Sequence, residues 1–110
     1  MVTSGDAIVT AAPVIAEVDW IARSRGAPDA LPRLLASVVD GSLIVVNLDR
    51  SDYARALDLI RQYADLPLDL VDASVVAVAE RLGQVVVATL DHRHFSVVKP
   101  LHCEGFTLVP

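Results

Sequence analysis

Leu66-Pro67-Leu68-Asp69-Leu70-Val71-Asp72-Ala73-Ser74, followed by Val85-Val86-Val87-Ala88-Thr89-Leu90-Asp91, decides how this chain is read. Asp65-Leu66-Pro67 breaks the chain, and apolar residues then recur at helical spacing from about Leu70 to Leu82, with Gly83 as the stop. Val85 to Leu90 is a continuous apolar run rich in branched residues, the mark of a strand buried on both faces. One piece puts a carboxylate at the start of an apolar helix. The other puts a carboxylate at the end of an apolar strand. A buried strand that runs straight into Thr-x-Asp does little for stability, but it suits a cation held at a cleft.

Working outward, Ala7-Ile8-Val9-Thr10 reads as a short strand and Pro13 suits a first helical turn. Val14 to Arg25 has helical periodicity and stops at Gly26. Ala30 to Val39 is a second helix, ended by Asp40-Gly41, and the two form a hairpin broken at Gly26-Ala27-Pro28. Leu43-Ile44-Val45-Val46 reads as a buried strand. Ser51 or Asp52 caps a helix running to about Tyr63. Asp91 to Val98 is a short helix stopped by Pro100, and Phe106 to Val109 is a last strand. Strands alternating with helices predict an α/β fold, a parallel sheet with helices on both faces. With no repeat, low-complexity tract or linker, residues 1–110 read as a single domain.

The 110 residues are 54% hydrophobic with a mean hydropathy of +0.51, high for so small a chain. That predicts an unusually full core or an apolar face covered by a partner. Net charge is −5 and the pI is about 4.9, which argues against broad nucleic-acid binding, where phosphate contacts demand basic surface. A site where metal ions supply the positive charge remains open, helped by local cations such as Arg81, Arg93 and Lys99. Cys103 is the only cysteine, so no intrachain disulfide is possible and a reducing cytoplasm is the expected compartment. The first residues, Met1-Val2-Thr3-Ser4-Gly5-Asp6, lack a basic n-region, and the apolar runs are too short for a membrane span.

Three carboxylates stand at informative places. On the helix from Val14, Val14, Ile15, Val18, Ile21 and Ala22 share one arc, and Glu17 lies at its border. It lines a cleft, or it is a solvated helix glutamate. On the helix from Leu70, Asp72 falls among Val76 and Ala79, where an acid needs a partner or a metal. The plainer reading makes Asp69 the N-cap and Asp72 the third helical residue, both favoured by the helix dipole. We accept it for Asp69. Asp91 follows a strand directly, where open parallel sheets place ligand sites. It also serves as a cap for the short helix from His92, and both readings hold together. Thr89 is positioned to hydrogen-bond a neighbouring carboxylate or a metal-bound water. Carboxylates gathered from separate elements bind Mg²⁺ or Mn²⁺, which lowers the pKa of a bound water and neutralises a phosphodiester.

The order of these pieces resembles the PIN-domain ribonucleases, and in particular the VapC toxins of bacterial toxin–antitoxin pairs. The residues that carry it are Ala12-Pro13-Val14-Ile15-Ala16-Glu17-Val18, Leu68-Asp69-Leu70-Val71-Asp72-Ala73 and Thr89-Leu90-Asp91-His92-Arg93-His94-Phe95. The tail Gly105-Phe106-Thr107-Leu108-Val109-Pro110 looks like the family's final strand. The resemblance implies a PIN-like fold and a Mg²⁺-dependent (or Mn²⁺-dependent) endoribonuclease acting on structured RNA such as tRNA. It also implies a homodimer and a cognate antitoxin. By resemblance Glu17, Asp72 and Asp91 match three of the family's four metal-site acids, and Thr89 matches its hydroxyl residue near the metal. His92, Arg93 and His94 would lie near the RNA.

The family opens with a strand that ends in Asp, and nothing here matches that unit. Asp6 precedes the first strand of this chain instead of ending it. The domain is therefore expected to be incomplete at its N-terminus. In such a fold the opening strand lies mid-sheet, and without it its neighbours lack backbone partners. The natural chain starts upstream of Met1, or a second subunit supplies the strand, or the chain is a decayed relative; the first is favoured.

Two rivals to the nuclease reading stand beside it. One is a catalytically impaired binding or dimerisation module that still engages an antitoxin. The other is an unrelated small α/β regulatory domain. His92, His94, His102 and Cys103 invite a zinc site, but a four-ligand structural site needs better spacing. Trp20 and Phe95 are expected in the core. No Gly-rich phosphate loop and no serine nucleophile elbow are present.

Overall fold

A computed structural model describes residues 2–4, 7–84, 86–88, 98, 100–101 and 107–109. Five strands and four helices follow in the order β1 (Val2–Ser4), β2 (Ala7–Ala11), α1 (Ala12–Ser24), α2 (Ala30–Asp40), β3 (Leu43–Val46), α3 (Arg50–Gln62), α4 (Leu70–Leu82), β4 (Val86–Ala88) and β5 (Thr107–Val109). The strands form one sheet in the order β3-β2-β1-β4-β5. β2 runs parallel to β3, with Ile8 opposite Leu43 and Ala11 opposite Val46. β4 runs parallel to β5, with Val86 opposite Thr107 and Ala88 opposite Val109. The α/β fold class predicted from the sequence is the observed one.

The central place in the sheet is filled, but not by a parallel strand. β1, which the sequence pattern did not reveal, lies between β2 and β4 and is antiparallel to both. Only two residues separate β1 from β2, and so short a link joins antiparallel neighbours and never parallel ones. Val2–Ser4 thus lies between β2 and β4, and Asp6, read from the sequence as preceding the first strand, follows it in the chain.

α4 is the helix around which the rest is packed. Ala73 through Ala79 are all buried, seven consecutive residues, so α4 is enclosed on every side and has no single apolar arc. It contacts β1 and β2 of the sheet, α3 and α1. Its small and branched residues let those neighbours approach closely, and with Val9, Ala11, Ala56, Leu59, Leu68 and Val98 they make the core. α3 is fastened to α4 by ion pairs. Arg55 donates from Nε and Nη2 to the two carboxylate oxygens of Glu80 at 2.7 and 3.0 Å. Arg81 donates from Nη2 to Asp52 at 2.8 Å. Glu80 Oε2 also accepts from the Leu101 backbone N–H at 2.6 Å, which anchors the segment around Val98 and Pro100.

One cap differs from expectation. α3 is capped by Asp49, not by Ser51 or Asp52. The Asp49 side chain accepts from Asp52 N at 2.9 Å and Asp52 accepts in return from Asp49 N at 3.0 Å. This is a capping box made from two aspartates, and Asp52 occupies its third helical position. α1 begins at Ala12, directly after β2, with Pro13 in its first turn and no side-chain cap. Gly41 and Gly83 end α2 and α4 in the left-handed conformation, at φ 86° and 69°, a backbone that other residues adopt rarely.

Candidate metal centre

Glu17 and Asp72 come from elements far apart in sequence, α1 and α4, which pack against each other. Because β2 passes without a loop into α1, Glu17 is placed less than two helical turns beyond the carboxyl end of β2. Val14, Ile15, Val18 and Ile21 around it are half-buried and Ala22 is buried, so Glu17 holds the border position read from the helical period. Asp72 is held from the other side by its own cap. Asp69 is the N-cap of α4, and its Oδ1 accepts from Asp72 N at 2.9 Å.

The electrostatics report this proximity. The Glu17 carboxyl is held above its ordinary value of 4.5, first by partial burial, then by the negative charge of Asp69, then by that of Asp72. Asp69 therefore has two effects: it caps the helix and it adds negative charge that Glu17 feels. Sequence reading assigned it only the first. The signal for the second was available, because residues three apart at a helix start point to the same end of the helix.

The raised Glu17 value has a sign that can be tested. A carboxyl titrating higher in the folded state than in the unfolded one costs stability as the pH rises through that interval, and costs nothing below the unfolded value. Glu17→Gln should then melt higher than the parent at pH 7 in EDTA, by about 1–4 °C for a partly exposed group. The difference should vanish when both are melted below pH 4, since about 4.3 is the unfolded reference for glutamate. Equal melting curves at both pH values would show that Glu17 is not under repulsion.

Oxygen donors carrying mutually repelling negative charge suit a hard divalent cation, and Glu17 with Asp72 fit such an ion by their chemistry. Among the described residues no group of three His, Cys, Asp or Glu side chains lies close enough to hold a metal ion. Asp91, the predicted third acid, and Thr89 lie outside the described residues, as do His92, Arg93, His94, Phe95, Lys99, His102 and Cys103.

Two expectations are corrected. Arg81 does not reach this site. It sits at the other end of α4, nine residues and roughly 13 Å along the axis from Asp72, engaged by Asp52 and, at 3.6 Å, by Asp49. Trp20 is not core but 70% exposed, because it stands on the side of α1 away from the Val14–Val18–Ile21 arc. Val39 and Leu101 are exposed as well, so part of the chain's high hydropathy lies on the surface. No helix among the described residues is long and apolar enough to cross a membrane.

The chain belongs to the PIN-domain family: the family's pattern matches residues 2–100. Within it the chain is of the VapC type. It is 31% identical over 108 residues to Ribonuclease VapC26 of Mycobacterium tuberculosis (strain ATCC 25618 / H37Rv), a match that spans 98% of this chain and 80% of that relative.

Proposed function

We propose that this chain is a Mg²⁺- or Mn²⁺-dependent endoribonuclease, the toxin of a VapBC-type pair, silenced by a cognate antitoxin and acting as a cytoplasmic homodimer. The observation that carries the reading is the negative charge that Asp69 and Asp72 bring to bear on Glu17 across the packed helices α1 and α4, in a chain so similar to a protein named as a ribonuclease. A divalent cation bound there would supply positive charge to a phosphodiester and acidify a water. Glu17, Asp72 and Asp91 are proposed as its holders. Thr89 is proposed to orient a neighbouring carboxylate or water through its hydroxyl. Asp69 fixes the start of α4 and so fixes where Asp72 stands. Its charge, with that of Asp72, makes Glu17 a strained acid without a cation and a relieved one with it. His92, Arg93 and His94 are proposed to contact the RNA backbone.

The purified protein should cleave RNA in millimolar Mg²⁺ and stop when EDTA is added. Asp91→Asn should remove cleavage while the circular dichroism spectrum stays unchanged. Normal cutting by Asp91→Asn would sink the assignment.

One observation favours a second reading, a binding module without catalysis. The central strand of this sheet is Val2-Thr3-Ser4 and carries no carboxylate, whereas the family's central strand ends in one. A tight complex with the antitoxin, together with no cleavage at any Mg²⁺ concentration, would select this module.

A further inference from the structure

Trp20 is 70% exposed, while Val14, Ile15, Val18 and Ile21 of the same helix are half-buried. Tryptophan is a highly buried residue on average, so an indole left in water is unusual. Its place on α1 is specific. It stands three residues after Glu17, one turn on, about 4.5 Å along the axis and about 60° round it. On the side of Trp20 away from Glu17 stand Asp19 and Arg23, which pair at 2.8 Å. With Ala22 these two line a cleft against Leu31 and Pro32 of the helical hairpin, and Trp20 takes no part in that cleft. It belongs to the flank of Glu17, the residue on which the charges of Asp69 and Asp72 act.

The helical neighbours of Trp20 are Ala16, Glu17, Arg23 and Ser24, all small or polar, and all exposed except the half-buried Glu17. A protein interface surrounds its aromatic anchors with contiguous apolar surface. A single aromatic face among polar groups suits a nucleobase, which stacks on it and leaves ribose and phosphate among polar neighbours. Farther along, Arg25 ends α1, exposed and without a carboxylate partner among the described residues. Acid, indole and cation therefore follow in that order along α1.

We propose that Trp20 is a base-stacking platform for single-stranded RNA, holding one base of a strand whose backbone passes Glu17 and runs on toward Arg25. The choice of RNA rests on the nuclease reading. Every base offers a flat face, so the platform adds affinity with little sequence preference. It also explains how a chain with a net charge of −5 holds a polyanion, because stacking needs no counter-charge. Trp20 binds the strand and takes no part in bond cleavage, so its effect falls on KM and not on kcat.

Trp20 is the only tryptophan, so its fluorescence reports on this position alone. The probe is a single-stranded oligoadenylate of about eight nucleotides, titrated in EDTA and again in Ca²⁺. Trp20 emission should be quenched saturably in at least one of the two conditions. Inorganic polyphosphate of equal charge should leave it unchanged, because it carries no base. Anisotropy of fluorescein-labelled oligoadenylate then ranks two variants. Trp20→Phe keeps an aromatic face and should bind within about threefold of the parent. Trp20→Leu keeps apolarity alone and should bind about 5- to 100-fold more weakly. During cleavage in Mg²⁺, Trp20→Leu should raise KM by a similar factor while kcat holds. No quenching in either condition up to about 1 mM oligoadenylate, or equal binding by Trp20→Leu, would overturn the proposal. So would self-association that Trp20→Leu abolishes with oligoadenylate affinity intact, which would assign the indole to a second copy of this chain. The nuclease reading fails separately. Quenching without cleavage at any Mg²⁺ concentration would end that reading and leave the platform, and cleavage without quenching would do the reverse.

Discussion

Asp72→Asn is expected to lower RNA cleavage by about 100- to 1,000-fold, the rate equivalent of the few kcal/mol a metal-held charge supplies at a phosphodiester. The substitution is informative because it separates chemistry from stability. The cap of α4 runs from the Asp72 backbone N–H to the Asp69 side chain, so an asparagine at 72 keeps it. What α4 loses is one negative charge in its first turn, worth about 0.3–1 kcal/mol at a helix N-terminus. Against that loss stands relief for Glu17, which no longer faces two like charges. The melting temperature should therefore move by only a few degrees in EDTA. Mg²⁺ should raise the melting temperature of the parent and not that of the variant, since an ion that binds only the folded state stabilises it. A variant that cuts RNA at the parental rate, or that gains as much from Mg²⁺, would remove Asp72 from the metal centre.

The helices were legible because their signals are local. Leu70–Leu82 and Leu43–Val46 have the limits read from periodicity and branched apolar runs, and Gly41 and Gly83 stop helices by adopting a backbone other residues avoid. β1 was not legible. Val2-Thr3-Ser4 is three residues long and its strand character comes from the slot it enters, which no window of sequence reports. Trp20 failed for a related reason. Size and apolarity favour the core, but its azimuth on α1 turns it to solvent, and the periodic arc of the same helix already contained that information. For the site, the border position of Glu17 followed from helical period alone. Its proximity to Asp72 did not, since the packing of α1 on α4 is a long-range contact. The charge Asp69 adds was hidden behind its obvious use as a cap.

The largest expected loss of stability lies at the opposite end of α4. Arg81→Met should lower the melting temperature by on the order of 10–20 °C, equivalent to roughly 3–5 kcal/mol. The Asp52 side chain is 2% exposed and accepts from Arg81 Nε and Nη2 at 3.0 and 2.8 Å and from Asp49 N at 3.0 Å. Methionine keeps much of the arginine stem and removes both charged donors, which leaves a buried carboxylate with the Asp49 N–H as its support. A loss of this size is a large share of the roughly 5–15 kcal/mol that holds a small domain together. Adding Asp52→Asn to Arg81→Met should recover most of it, because asparagine still accepts from Asp49 N and carries no charge to strand. Arg23 supplies the control. It meets Asp19 at the same 2.8 Å, but with side chains 78% and 36% exposed, so water and salt screen the pair. Arg23→Met should leave the melting temperature where it was. If Arg81→Met and Arg23→Met melt alike, then burial is not what gives the Asp52–Arg81 pair its strength, and α3 is held to α4 by its apolar contacts and the Arg55–Glu80 pair.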